Sequence, residues 1–380
     1  MSVIANTLST RTSLAILTMP DPEQGFRGNR ANFIDLIQTG KKLGAFVYVL
    51  TTDDLRAGDK RVYGYVYNVE NGIWTRQLLP MPHVIYNRLP TRTDEQLPEV
   101  QNVIKDCLKK KNVRLFNPYF FNKWALFEWL NSDKETQRFI PATRRLSSPQ
   151  ELASFMQSHP MVYLKPIRGK AGKGIMRLET NTPGRKYWCK LIIQNHKKSI
   201  VTNHLNFAKL WTRIKQEITD EDYIIQQGIL LAESEGRPFD LRVLVQKSGT
   251  GKWFITGIGA RVAGVKSITT HVPRGGHIDN PHNALISSFG ETRTPIILRK
   301  VNNAALTIAR RIEKASGYKL GEMSLDLGVD RNGRIWFFEA NSRPMKFDEP
   351  DIRETSLARI IEYTQFLSRP RPARTGKKSG

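Results

Sequence analysis

The first hydrophobic run, SLAILTM, is short, unbroken and ends at Pro20, which suits a buried strand. NRANFIDLIQTGKKLG then carries Phe33, Ile34, Ile37 and Leu43 at helical spacing and stops at Gly44, a helix C-cap signal. AFVYVLT returns to a strand, and VYGYVYN and HVIYNRLP follow before the helix NVIKDCLKKKN. This strand–helix–strand order predicts an α/β unit over residues 1–112.

FNPYFFNKWALFEWL opens a second region with a helix after Pro118. Its aromatic residues, Tyr119 to Trp129, are partly at helical spacing and read as core packing. From 139 to 230 strands and helices alternate around a glycine-rich loop, VYLKPIRGKAGKGIMRLE. A third block, 236 to 366, is strand-rich and then helical: FDLRVLVQK, WFITGIGARVAG, the helix VNNAALTIARRIEKASG, a hairpin and a closing helix, LARIIEYTQFL. Residues 369–380, RPRPARTGKKSG, carry five basic groups, no acid and two prolines, and are expected to be a disordered tail.

The hairpin MSLDLGVDRNGRIWFFEANSRP carries the sharpest chemical signal. Asn332-Gly333 between alternating runs predicts a two-residue turn. Arg331 then pairs with Arg334, and counting outward sets Asp326 opposite Glu339. Glu339 and Asn341, two apart on a strand, share a face. Facing carboxylates repel unless a positive charge lies between them, and three oxygen-bearing side chains suit Mg²⁺ holding phosphates.

Composition narrows the field. Fifty-nine Lys and Arg against 35 Asp and Glu give 380 residues a formal charge of +24, so an anionic partner is expected. Ten of the basic residues lie between Lys165 and Lys198, facing the single acid Glu179, which predicts an acceptor that is itself anionic, a polymer or peptide with carboxylates or phosphates. Trp188 and Tyr187 interleave with these charges, but no nucleic-acid-binding module accompanies them, so nucleic acid ranks last as a partner. Cys107 and Cys189 are too few for a disulfide scaffold or a zinc site and read as structural thiols in a reducing compartment. The seven histidines form no HExxH motif. No signal-peptide pattern and no membrane-length apolar run is present, so the chain is expected to be cytoplasmic when made.

LKPIRGKAGKGI sets Gly169, Gly172 and Gly174 among Lys165, Lys170 and Lys173, a loop whose backbone can approach phosphates. It matches neither GxxxxGK[ST] nor a dinucleotide fingerprint. FDLRVLVQK places Asp240 and Arg242 on one strand face, with Arg261 on a following strand. Arginines there can clamp phosphoryl oxygens, or Asp240 and Arg242 can simply pair with each other.

Lysine, basic glycine loop, DxR, arginine strand and Asp…ExN, in that order, resemble the ATP-grasp superfamily. FNPYFFNKW, VYLKPIRGKAGKGI, YIIQQGILL, FDLRVLVQK, ITTHVPRGG and SLDLGVD…FFEANSRP are similar to its YheC/YheD branch of endospore-associated proteins. The resemblance implies an α/β and α+β fold: a pre-ATP-grasp domain over 1–112, then an ATP-grasp region over 113–368 with a lid subdomain at 139–230 and a catalytic subdomain at 231–368. It implies that Lys123 and Lys165 contact ATP phosphates under a lid holding Gly169, Lys170, Gly172, Lys173 and Gly174. Gln226, Gln227 and Ile229 would meet adenine mainly through backbone groups, and Asp240 would face the ribose. Many family members carry an acid where Gln226 stands, so the resemblance leaves backbone contacts here and puts an acidic contact to the adenine amino group in doubt. Arg242 and Arg261 would face phosphate or substrate, Arg343 a substrate anion, and His271 the acceptor. Asp326, Glu339 and Asn341 would bind one or two Mg²⁺ ions.

The implied activity is an ATP- and Mg²⁺-dependent ligase joining a carboxylate to an amine or thiol through an acylphosphate. Phosphoryl transfer of this kind needs charge neutralisation and positioning rather than a protein nucleophile. Two alternatives stand beside it: a spore-associated structural or binding protein that keeps the fold without turnover, and a phosphotransferase with a hydroxyl acceptor.

Overall fold

The computed structural model describes residues 12–56, 58–167, 174–181, 188–194, 199–218, 222–264, 267, 270, 275–347 and 349–370. They build three six-membered sheets, each around its own apolar side chains.

In the first sheet, Ser13–Thr18 lies parallel between Phe46–Thr51 and Val84–Asn87, and Arg114–Phe116 adds a parallel edge. Arg61–Asn68 and Ile73–Pro80 extend the other edge as an antiparallel hairpin. Both faces of the SLAILT strand are covered, which is why its apolar run is unbroken. Leu14 and Ile16 pack with Phe33, Leu36 and Ile37 of the helix Arg30–Lys42. Ala15 and Leu17 pack with Ile104 and Cys107 of the helix Pro98–Lys109. The buried stripe of the first helix is thus Phe33, Leu36, Ile37 and Gly40, while Leu43 at its C-cap is exposed rather than part of the core. Burial raises the Cys107 thiol to about 11 and the Cys189 thiol to about 12, which keeps both inert at neutral pH.

The second sheet is antiparallel: Ser199–His204, Cys189–Gln194, Met176–Thr180, Met161–Pro166, Tyr223–Gln227 and Thr143–Arg145. Helices Pro149–Ser158 and Phe207–Glu217 cover one face.

The third sheet positions the candidate site. Its main path runs His277–Asp279, Trp253–Val262, Arg237–Lys247, Glu322–Val329 and Ile335–Asn341, all antiparallel. Period-two alternation divides it, apart from one irregularity between Phe337 and Glu339 on the last strand. Leu241, Val243, Val245, Leu325, Leu327 and Phe337 face a core shared with the helix Lys123–Asn131 and the long helix Pro281–Ser316. Asp240, Arg242, Ser324, Asp326, Glu339 and Asn341 take the opposite face. The long helix begins twenty residues before the segment the periodicity picks out, and it breaks at Gly290 (φ 76°), so two helices meet there end to end.

The closing helix Pro350–Ser368 returns to the first sheet, where Ile360, Ile361 and Tyr363 join Leu14 and Phe116. At this seam Glu322 accepts from Gln246 Nε2 at 3.0 Å and from the Tyr86 hydroxyl, and lies 3.6 Å from Arg88. Burial pushes its carboxyl above the ordinary range despite the Arg88 charge. Asn117, at φ 52°, ties the seam to the metal-candidate hairpin. Its amide donates to Glu322 O at 2.8 Å and to Ser342 O, and its oxygen accepts from Gly321 N at 2.8 Å. Asn117→Ala strands these buried backbone groups and is expected to lower unfolding free energy by about 2 kcal/mol in urea titration. An unchanged midpoint would mean that water replaces the amide.

Candidate active site

The hairpin differs from the simplest reading in two places that offset each other. Its loop has three residues, not two. Gly333 N donates to Asp330 O at 2.8 Å and Asp330 N to Arg334 O at 3.0 Å, with Gly333 at φ 77°. The Asp330 carboxylate holds that turn by accepting from Asn332 N, Arg334 N and Trp336 Nε1, each at 2.9 Å. Pairing therefore starts one residue out of the expected register, with Val329 opposite Ile335. A bulge at Phe338, between Leu327–Phe337 and Asp326–Glu339, shifts it back. Asp326 faces Glu339, and Ser324 faces Asn341.

Neighbouring strands bring the arginines onto this face. Arg242 grips Asp326 with two hydrogen bonds, Nε to Oδ1 at 3.0 Å and Nη2 to Oδ2 at 3.2 Å. Arg261 does the same to Asp240, at 2.8 and 2.6 Å, and its Nη2 also lies 2.9 Å from Asp326 Oδ2. Thr270 Oγ1 completes Asp240 with a donation at 2.6 Å. Asp240 thus pairs across strands with Arg261, and the simple Asp240–Arg242 pair does not form. Burial alone would raise the Asp326 carboxyl, but Arg261 and then Arg242 outweigh it and hold it well below the ordinary carboxylate range.

The second sheet contributes Lys165, whose ammonium donates to Gln226 Oε1 at 2.6 Å and lies 5.6 Å from the Phe338 ring centre. Burial, then the charge of Lys123, lowers it to about 8, against the opposing pull of Glu339, Asp240 and Asp326. Lys123 lies 3.8 Å from Glu339 Oε2. Gly174, at φ 74°, is where a Cβ would meet the Tyr223 hydroxyl at 2.9 Å, so glycine is required at that bend. Gln227 Oε1 accepts from Ala142 N at 3.3 Å, and half-buried Ile229 follows on the stretch between the second and third sheets.

Lys123, Lys165, Asp240, Arg242, Arg261, Asp326 and Glu339 are therefore one electrostatic neighbourhood. Arg343 is not part of it. Its guanidinium is buried against Glu95, donates to Leu89 O at 3.2 Å and Pro118 O at 3.3 Å, and lies 3.9 Å from the Phe120 ring centre. The expected contact to a substrate anion is corrected to a buried tie between the hairpin and the loops of the first sheet. Gly169, Lys170, Gly172, Lys173 and His271 lie outside the described residues. Thr143 and Glu95, the partners that fix Gln226 and Arg343, carry no motif that would have marked them, and Thr270, which fixes Asp240, lies in ITTHVPRGG without a signal of its own.

Mg²⁺ passes a test of fit on donor chemistry. Two carboxylates directly across from each other, with an amide oxygen on the same face, are hard donors that leave room for phosphate and water. Among the described residues no group of three or more His, Cys, Asp or Glu could hold a metal ion, so a site here depends on the Asn341 amide.

Residues 112–367 match the family described as YheC/D like ATP-grasp. The chain belongs to that family. Among its relatives, the endospore coat-associated protein YheD of Bacillus subtilis (strain 168) is 30% identical over 364 residues, covering 91% of this chain and 76% of YheD. The endospore coat-associated protein YheC of the same organism is 20% identical over 337 residues, covering 88% of this chain and 91% of YheC. Among solved structures, the VanG D-Ala:D-Ser ligase from Enterococcus faecalis superposes with a TM-score of 0.52 at 12% identity, covering 94% of this chain and 99% of that one. That likeness establishes a shared ATP-grasp fold.

Proposed function

We propose that this ATP-grasp protein is an ADP-forming ligase that joins a carboxylate to an amine or thiol, with ATP and Mg²⁺. The observation that carries the reading is the single sheet face on which two lysines, two arginines and a hard-oxygen trio converge. Lys165 and Lys123 would bind the ATP phosphates. Arg242 donates only Nε and Nη2 to Asp326, and its partly exposed side chain leaves guanidinium N–H groups to meet oxygens of the transferring phosphoryl group. Asp326, Glu339 and Asn341 would hold Mg²⁺, which supplies neutralisation of phosphate charge. In the reaction a substrate carboxylate oxygen bonds to the γ-phosphorus and ADP leaves. The amine or thiol then bonds to the acyl carbon, phosphate leaves, and the nucleophile's proton passes to solvent. Backbone groups of Gln226, Gln227 and Ile229 would face adenine, and Asp240, held by Arg261 and Thr270, would face the ribose.

The name of the YheD relative supports a link to the endospore, and no described helix is long and apolar enough to cross a membrane. The basic stretch that motivates an anionic acceptor lies partly outside the described residues. One observation favours a second reading, a binding protein without turnover: Asp326 is already neutralised by two arginines, so the fold does not need a metal.

Calorimetric titration of the full chain with ADP and ATP, with and without Mg²⁺, tests the ligase reading. Mg²⁺-dependent binding is expected, followed by ADP release when carboxylate and amine pairs are screened. Absence of nucleotide binding would overturn it. Binding without ADP release for any pair would favour the second reading.

A further inference from the structure

Gln226 stands near the end of the strand Tyr223–Gln227, paired on both sides in the second sheet, and is 1% exposed. Its amide orientation is fixed by a chain of donors. Thr143 Oγ1 donates to Pro141 O at 2.8 Å, so it must accept from Gln226 Nε2, at 3.0 Å. That leaves Gln226 Oε1 for the Lys165 ammonium at 2.6 Å. Of the charged groups that act on Lys165, Lys123 is itself a cation 3.8 Å from Glu339, and Asp240 and Asp326 are gripped by Arg261 and Arg242. The Tyr163 ring centre lies 5.4 Å from the ammonium and supplies no neutralising charge at neutral pH. Lys165 is thus held by an uncharged acceptor.

We propose that Gln226 is a positioning residue. Its amide oxygen fixes the Lys165 ammonium where the nucleotide phosphates bind, without neutralising it, and so favours phosphate-bearing ligands over adenosine. The inference rests on the nucleotide-binding reading above. A buried ammonium with a neutral partner keeps its full attraction for an incoming anion, whereas a paired one would have to exchange partners. With the amide oxygen on Lys165 and one amide N–H on Thr143, adenine recognition falls mainly to the backbone of residues 226–229.

The test is calorimetry of ADP, AMP and adenosine with the full chain at pH 7 and pH 9. Lys165, lowered to about 8, holds its proton at pH 7 and loses it as pH rises through that value, so wild type is expected to bind ADP more weakly at pH 9. Gln226→Met removes the acceptor and is expected to weaken ADP about tenfold at pH 7 while adenosine changes less than about twofold. Gln226→Glu restores an acceptor oxygen and holds the proton on Lys165. It should bind ADP more weakly than wild type at pH 7, because the ammonium would have to exchange a charged partner, and should keep that weaker affinity at pH 9. Thr143→Val retains Gln226 and deletes only the hydroxyl that orients it, so it should show the same selective loss by a smaller factor, even where Gln226→Met fails to fold. Equal losses for ADP and adenosine, or a Gln226→Glu profile that falls with pH as wild type does, would overturn the role of Gln226 alone. A wild type that binds no ADP would overturn the nucleotide reading with it.

Discussion

Glu339→Gln is expected to abolish most of the Mg²⁺-dependent gain in nucleotide affinity, about a hundredfold, while the melting temperature of the nucleotide-free protein stays within about 2 °C. The asymmetry between the facing carboxylates drives this expectation. Both Asp326 oxygens are engaged by guanidiniums, whereas among the described residues Glu339 has only Lys123 at 3.8 Å, beyond hydrogen-bond length, and its side chain is 36% exposed. Glu339 is therefore the charged oxygen donor most able to turn toward a cation, and the amide substitution removes that charge while keeping the shape. In the nucleotide-free protein the same change loses one weak, half-exposed ion pair and one repulsion across the hairpin, two small terms of opposite sign. Calorimetry with and without Mg²⁺ reads the first effect and thermal denaturation reads the second. Undiminished Mg²⁺ dependence would move the metal site off this hairpin. A large fall in melting temperature would instead make Glu339 a structural anchor for Lys123.

Periodicity made the strands of the third sheet and their chemical face legible, because alternation is local: Asp240 and Arg242, or Glu339 and Asn341, share a face by backbone geometry alone. The hairpin register was recovered for a partly wrong reason. A loop one residue longer than Asn332-Gly333 suggests and a bulge at Phe338 cancel, and neither is encoded in hydrophobic spacing. What the pattern could not supply was the partner of each polar group. Arg242 meets Asp326 across 84 residues, Gln226 meets Thr143 across 83, and Arg343 meets Glu95 across 248. Such pairings depend on how sheets are assembled, so Arg343 resembles a site residue in sequence while its guanidinium is spent on Glu95 and two carbonyls. Leu43 fits the helical period but falls at the cap, where the chain has already turned outward.

Arg261→Met is expected to lower unfolding free energy at pH 7 by about 3–5 kcal/mol, the usual consequence of stranding a buried charge rather than of deleting a surface pair. Arg261 touches two acids at once, and its own side chain is 8% exposed between Asp240 at 6% and Asp326 at 9%. Burial works against its charge, but Asp240 and Asp326 together hold the guanidinium firmly protonated. Without it, among the described residues Asp240 keeps the Thr270 hydroxyl and Asp326 keeps Arg242. Methionine fills much of the volume, so the loss is mainly electrostatic, and its pH dependence has a definite sign. In wild type the Asp326 carboxyl lies below its ordinary value, so the stability it contributes is present above about pH 4 and is lost as pH falls toward the folded value. In the variant burial of Asp326 is less opposed and its carboxyl rises, so acidification relieves the stranded charge. The difference between wild type and Arg261→Met should therefore be largest at neutral pH and shrink on acidification, as urea titrations at pH 7 and pH 4.5 would read. A difference that stays constant across that range would assign the role of Arg261 to packing, and the charge network on this face would then be a consequence of the fold rather than a condition for it.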